Sequence, residues 1–405
     1  MMVLGSDVDW HLPQSEDLGA DRRAAFEILA KMAAPSAVEE DWRYGPIDDF
    51  SLDSFGLAKP AGLAEFSGGR LELKPEETLG LSAFDAVVVL ESGSVVGVSG
   101  GSGVQIDQGW GGIRRGANEG FELLNFVFSP QSILISLPKG SSRLLLVNRA
   151  AGSGELALPR VTVRVADGST ADVVEVRSGG DSGSLTIPVM NLEVGSNSKL
   201  NYTSIQTISV ESDEFAYLGA QVGRDSELNC FHLALGGNYA RLRTDCDLVG
   251  ENSTARLLAG YIGGGNQVLE FRTFQNHLAR HTKSELLYKG ALADASHSIY
   301  SGTIHIAKGA IGSDAFQTNR NLVLDEAAHA DSVPNLDIHE NDVKCSHASA
   351  VGPVEEDQLY YLACRGIPPE RAERILVRGF FKELAARGSV DSVETLIYGA
   401  LEEKW

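Results

Sequence analysis

The chain has 405 residues with 55 acidic against 34 basic side chains, a formal charge of −21, and this surplus works against binding polynucleotides or anionic membranes, whose attraction rests on Lys and Arg. An apolar share of 43% and a charged share of 22% are those of a globular chain with a sizeable core. No run approaches the roughly 20 apolar residues of a membrane-spanning helix, Met1 to Asp21 lacks the basic and apolar regions of a secretory leader, and the four cysteines form no CxxC pair. A reduced, cytoplasmic protein is expected.

Asp21 to Lys31, with Ala24, Phe26, Ile28, Leu29 and Ala30 ahead of Pro35, reads as an opening helix. From Glu77 to Gly120 the chain is Val-rich but broken by Gly and Ser, as in Gly97–Gly103, which suggests irregular linking structure with short strands. From Phe121 the period is two. Ile133–Leu137, Arg160–Val165 and Tyr300–Ile306 alternate apolar and polar residues, and further runs centre on Leu257, Leu269, Leu286, Ile304, Leu322 and Leu336. Hardly any amphipathic helix separates them, so a βαβ sheet is disfavoured, and a stacked β-solenoid or a sandwich remains. The last 60 residues turn helical: Glu355 to Arg365 with Gly366 as its stop, a second helix opened by Pro368-Pro369 and stopped at Gly388, and a third bearing Val393, Leu396, Ile397, Ala400 and Leu401. The expected organisation is an N-terminal helical and irregular region over 1–120, a β core over 121–344 and a C-terminal helical domain over 345–405.

The Gly100–Gly103 run completes neither phosphate-binding fingerprint, and no Gly-x-Ser-x-Gly elbow is present. His277 and His281 have zincin spacing, but Leu278 stands where the general base belongs and the surroundings read as strand and turn. Cys345-Ser346-His347 is more informative. In an extended segment its thiol and imidazole point to one side, a soft and a borderline donor suited to iron, zinc or copper(I). The alternative is a buried thiol beside a hydrogen-bonded imidazole, and any metal would need ligands from another segment or subunit.

Pro334–Ile338, Asp342-Val-Lys-Cys-Ser-His-Ala348, Gly352, Gln358–Leu362 and Arg365-Gly-Ile367 closely resemble the carboxy-terminal signature of the SufB/SufD family of iron-sulfur cluster assembly components, and within it the SufD branch. Glu40-Asp-Trp-Arg-Tyr44, Leu137–Gly140, His281–Gly290 and Gln317–Leu322 agree in order. The resemblance implies a right-handed parallel β-helix flanked by helical regions. It implies a non-catalytic scaffold subunit that pairs with SufB across a β-helix interface and docks the ATPase SufC on its C-terminal helices, through Tyr360, Tyr361, Arg365, Ile375, Phe380 and Phe381. His347, with Cys345 beside it, then corresponds to the interface histidine of nascent-cluster assembly. No stably bound cofactor is implied for the chain alone; transient iron or an iron-sulfur cluster, with a role in iron acquisition and a reduced flavin as a further candidate, belongs to the complex.

Asn319 stands where the SufB branch carries a cluster-building cysteine, which speaks against the runner-up, a SufB-like homodimeric scaffold. A plain structural subunit, and a polysaccharide-degrading β-helix with clustered acids on a strand face, are the remaining rivals. The isolated chain could also pair with itself through the β edge that otherwise meets SufB.

Overall fold

Alternating side chains build a two-sided parallel β-solenoid, seen here in a computed structural model that describes residues 19–59, 73–78, 84–101, 103–108, 120–180, 183–388 and 393–404. One sheet stacks, in parallel, Ser132–Leu137, Arg160–Val165, Val189–Val194, Asp213–Val222, Tyr239–Leu248, Val268–His277, His297–Ile306 and His329–Ile338. The other stacks Ser141–Arg149, Thr170–Gly179, Lys199–Ile208, Glu227–Ala234, Thr254–Gly263, Lys283–Leu292, Asp314–Val323 and Lys344–Gly352. The chain crosses from one sheet to the other at every strand, so one coil is two strands. Register is kept from coil to coil: Tyr202, Cys230, Leu257, Leu286, Gln317 and His347 form a single inward ladder. Most of the core lies between the sheets, from Ala86 to Tyr300.

One corner of each coil carries a residue with left-handed backbone: Gly140, Gly168, Asn197, Asp225, Asn252, His281 and Gly312. Its amide donates to the next coil's turn, as from Asn197 to the Arg224 carbonyl at 2.8 Å and from Asp225 to Glu251 at 2.9 Å. A buried Ser or Thr follows at most of these corners, and the Ser198 and Ser226 hydroxyls donate to the carbonyls of Ala166 and Gly195. Asn and Asp tolerate this conformation, whereas a β-branched residue does not. Asn252→Val is therefore expected to destabilise the protein by about 1–2 kcal/mol and Asn252→Gly to be nearly neutral; urea unfolding checks this, and equal midpoints for the two variants would refute it.

Helices cover parts of the outward faces. They are α1 (Gly19–Leu29), α2 (Pro75–Thr78), α3 (Gly120–Phe128), α4 (Glu356–Cys364), α5 (Pro369–Ala385) and α6 (Val393–Glu403). On the first sheet, Trp42 of the Glu40–Tyr44 motif packs edge-on against Phe121 and Phe215, and the Arg241 guanidinium lies 3.8 Å above its ring. Arg272 donates to the carbonyls of Glu40 and Arg43, tying that segment to the stack. On the second sheet, Phe231, Leu233, Leu258 and Leu287 meet Val377, Phe381, Leu384 and Ile397 of α5 and α6. The Lys404 ammonium, donating to the carbonyls of Leu235 and Ile262 and to Gln267 Oε1, fastens the segment after α6. Among the described residues no helix is long and apolar enough to cross a membrane.

Two expectations change. Phe121–Phe128 is helix α3 and not the start of the alternation, because its residues are buried all round and show no face. The short strands expected between Glu77 and Gly120 are present: Ala86–Glu91 joins the second sheet in parallel with Ser141–Arg149, and Ser94–Gly100 returns antiparallel to it. The β stack also continues past 344, since Lys344–Gly352 is its last strand and the helices start at Glu356. Of the Gly100–Gly103 run, Ser102 lies outside the described residues.

Candidate functional site at the open end of the stack

The two ends of the solenoid differ. At the first end, strands Ser94–Gly100 and Gln105–Gln108 fold back antiparallel, and the inward Ala86, Val88 and Leu90 are buried. At the other, His329–Ile338 and Lys344–Gly352 are the terminal strands of their sheets. Each leaves one row of backbone donors and acceptors unpaired. Their inward side chains have no coil above them, so Leu336 is 38% exposed, Ile338 41% and Val351 46%. Ser349 and Ser332 bridge the two strands by a 2.8 Å hydrogen bond.

His347 stands in this opening. It continues the ladder above the buried Gln317, yet is itself exposed, and among the described residues nothing hydrogen-bonds its imidazole, so either nitrogen can take a ligand. Beneath it the interior is polar. The Tyr300 hydroxyl donates to Gln317 Oε1 at 3.2 Å, and Tyr261, Asn319 and Asn321 form a closed set of bonds at 2.6 to 2.9 Å. Asn319 is thus fully engaged inside the stack. Cys345 shares the inward face but is half-buried against Ile304, Ile306 and Ala315, and burial pushes its thiol up. It is therefore a protonated thiol at neutral pH, which a metal or sulfur donor must first deprotonate.

The same Cys-x-His spacing occurs at Cys230-Phe231-His232, where the outcome is opposite. Both side chains are sealed inside, with Cys230 Sγ 3.3 Å from His232 Nε2. Burial raises the thiol and lowers the imidazole to about 3, helped by the nearby Arg177 charge. Both are neutral and out of reach. Spacing is identical; the missing coil above His347 makes the difference. His277 and His281 form no pair either: the His277 ring is held by Thr282 and Ser284 at 2.7 and 2.8 Å, and His281 occupies a left-handed corner.

On the tail, Tyr360 is 73% and Tyr361 57% exposed, Arg365 lies 5.0 Å over the Tyr361 ring, and Ile375 is exposed on α5. Helix α4 has no buried residue. Phe380 is half-buried beneath the Lys289 ammonium, which donates to its carbonyl and to Glu383. Phe381, expected as a partner contact, is fully buried in the core between helices and sheet. It holds α5 in place and has no surface to offer.

The family description "SUF system FeS cluster assembly, SufBD core domain" matches residues 147–380, the solenoid from its second-sheet strand Ser141–Arg149 into α5. The chain belongs to the SufB/SufD family. Its relatives include the iron-sulfur cluster assembly protein SufD of Escherichia coli, 27% identical over 393 residues that cover 92% of this chain and 90% of that protein. The SufD protein of Bacillus subtilis is 34% identical over 221 residues, 52% of this chain and 48% of its own. A SufBD family protein of Mycobacterium tuberculosis is 34% identical over 265 residues, and the chain spans 65% of that relative's length. The SufBD core match includes the coils that carry Cys345 and His347, as well as α4.

Proposed function

We propose that this SufB/SufD family member works in iron-sulfur cluster assembly as a SufD-type scaffold subunit, with no turnover chemistry of its own. In this reading the open end of the stack pairs with the paralogue SufB, and His347 faces across that boundary toward a cluster being built from sulfur the partner supplies. The observation that carries the reading is an inward ladder that ends uncovered, with an imidazole at its last rung and unpaired strand edges around it. Kinship with proteins named SufD and Asn319, locked to Tyr261 and Asn321, favour the SufD branch over a SufB-like homodimer. Iron enters as cargo, ligated by an imidazole nitrogen of His347.

The exposed aromatics of α4, with Arg365 and Ile375, are the proposed seat of the ATPase SufC. Deleting α5 and α6 is a poor test of that, because it would uncover the outer face of the second sheet. Co-expression with SufB and SufC, followed by mass measurement of the intact assembly, tests the pairing. The parent is expected in a complex containing all three. A Leu336→Lys/Val351→Lys variant is expected to lose SufB and keep SufC, while Tyr360→Ala/Tyr361→Ala does the reverse. Retention of SufB by the first variant would overturn the assignment of the open end.

A further inference from the structure

Four of the nine histidines stand on the outward face of the last two coils of the first sheet, in two sets of equal composition. In the first set His297 is the register partner of His329, and Asp331 follows two residues on, on the same face. The Asp331 carboxylate is 2.8 Å from His297 Nε2 and 3.4 Å from His329 Nε2. In the second, His305 is the register partner of Asp337, with His339 two residues beyond. The Asp337 carboxylate lies 2.7 Å from His305 Nδ1 and 2.9 Å from His339 Nε2. Within each set the donor atoms of all three side chains fall within 4.8 Å of one another.

We propose that each set binds one divalent transition-metal cation of the Zn²⁺ or Fe²⁺ class. Two imidazoles and one carboxylate are the donor mixture such ions take, whereas Ca²⁺ and Mg²⁺ ask for oxygen alone. Ligands at bond lengths of about 2.0–2.2 Å sit roughly 3 Å from each other around an ion, which is close to the spacings already present. A surface ion pair needs one imidazole per carboxylate; here each carboxylate is shared by two, twice over on the same pair of strands. His329 and His339 are 65% and 57% exposed, which gives an ion an entry path. Three protein ligands leave positions to water, the mark of an exchangeable site and not of a closed structural one.

The proposal is independent of the function proposed above, since these side chains point outward and His347 belongs to the inward ladder. The test uses the full chain, stripped with chelator, in a His281→Asn/Cys345→Ser/His347→Ala/Cys364→Ser background that removes the other exposed or half-exposed imidazoles and thiols among the described residues. It is titrated with Co²⁺, followed by its visible d–d bands, and with Zn²⁺ by calorimetry. Two equivalents are expected. His297→Ala/His329→Ala and His305→Ala/His339→Ala should each lose one, and Asp331→Asn or Asp337→Asn should weaken its own site roughly tenfold or more. If the variant lacking all four histidines binds as many ions as tightly as its parent, the proposal is overturned.

Discussion

In a His347→Ala variant, assembly with the partner subunits is expected to proceed as in the parent, while the yield of cluster formed on the complex falls about tenfold or more, the scale on which a metal site answers to a lost contact. The two effects separate because of where the side chain sits. Exposed, at the last rung of its ladder and without a hydrogen bond, the ring contributes little to folding, and its removal should change stability by no more than about 0.5 kcal/mol. It is also not one of the apolar side chains, Leu336, Ile338 and Val351, that leave the opening sticky. Visible absorbance and acid-labile sulfide after anaerobic reconstitution of the complex provide the readout. Undiminished cluster on an intact complex would remove His347 from the chemistry. Cys345→Ser should have a smaller effect, because its thiol starts protonated.

The second large effect is acid lability. His232 and His277 are buried as neutral rings, with burial lowering them from 6.5 to about 3 and about 4, assisted by Arg177 and His305 respectively. In the unfolded chain both titrate near 6.5. Between that value and the folded ones the unfolded state binds protons that the folded state refuses, so stability is complete above about pH 6.5 and is lost as pH falls. From pH 7 to pH 5 each ring should remove roughly 2 kcal/mol, or about 4 kcal/mol together. Urea midpoints at the two pH values measure it. A His232→Gln/His277→Gln variant should lose most of this slope whatever its absolute stability, and a slope equal to the parent's would show that other groups control the acid transition.

Much of the solenoid is legible in the period-two runs, and the strand centres at Leu257, Leu269, Leu286, Ile304, Leu322 and Leu336 all fall inside strands. Alternation reports which face a residue occupies and says nothing of what lies on the other side, so by itself it cannot separate a sandwich from a stack. The deciding signal was in the corners. Gly140-Ser141, Gly168-Ser169, Asn197-Ser198, Asp225-Ser226, Asn252-Ser253, His281-Thr282 and Gly312-Ser313 recur every 27 to 31 residues by their own numbers. That is one coil, where strand spacing shows half of one. Helix α3 was hidden because it is buried on all sides, with even its polar Glu122 and Asn125 turned inward to Arg160, so no solvent-facing stripe marks its period.

At the site, Cys345 and His347 were legible as a same-face pair, but their surroundings were not. The identical spacing at Cys230 and His232 ends in a sealed interior: that pair lies two residues farther along its strand, with Cys230 on the ladder of His347, and has further coils stacked above it. Membership of Phe381 in the core, and not in a docking face, likewise depends on which side of α5 meets the second sheet. The histidine and aspartate sets escaped notice because their members come from coils 32 residues apart, 297 with 329 and 305 with 337. A reader without the corner repeat has no reason to compare those positions.

The unequal ends also limit how far such molecules can grow together. A fibre needs two complementary surfaces per molecule, so that each added subunit presents a fresh one. Here the folded-back strands cover the interior at one terminus, and in the pairing proposed above the other is taken up by a single neighbour. Pairing that uses this opening alone would close at two chains, whether the neighbour is a copy or a cousin, because the first end offers covered side chains in place of an open interior.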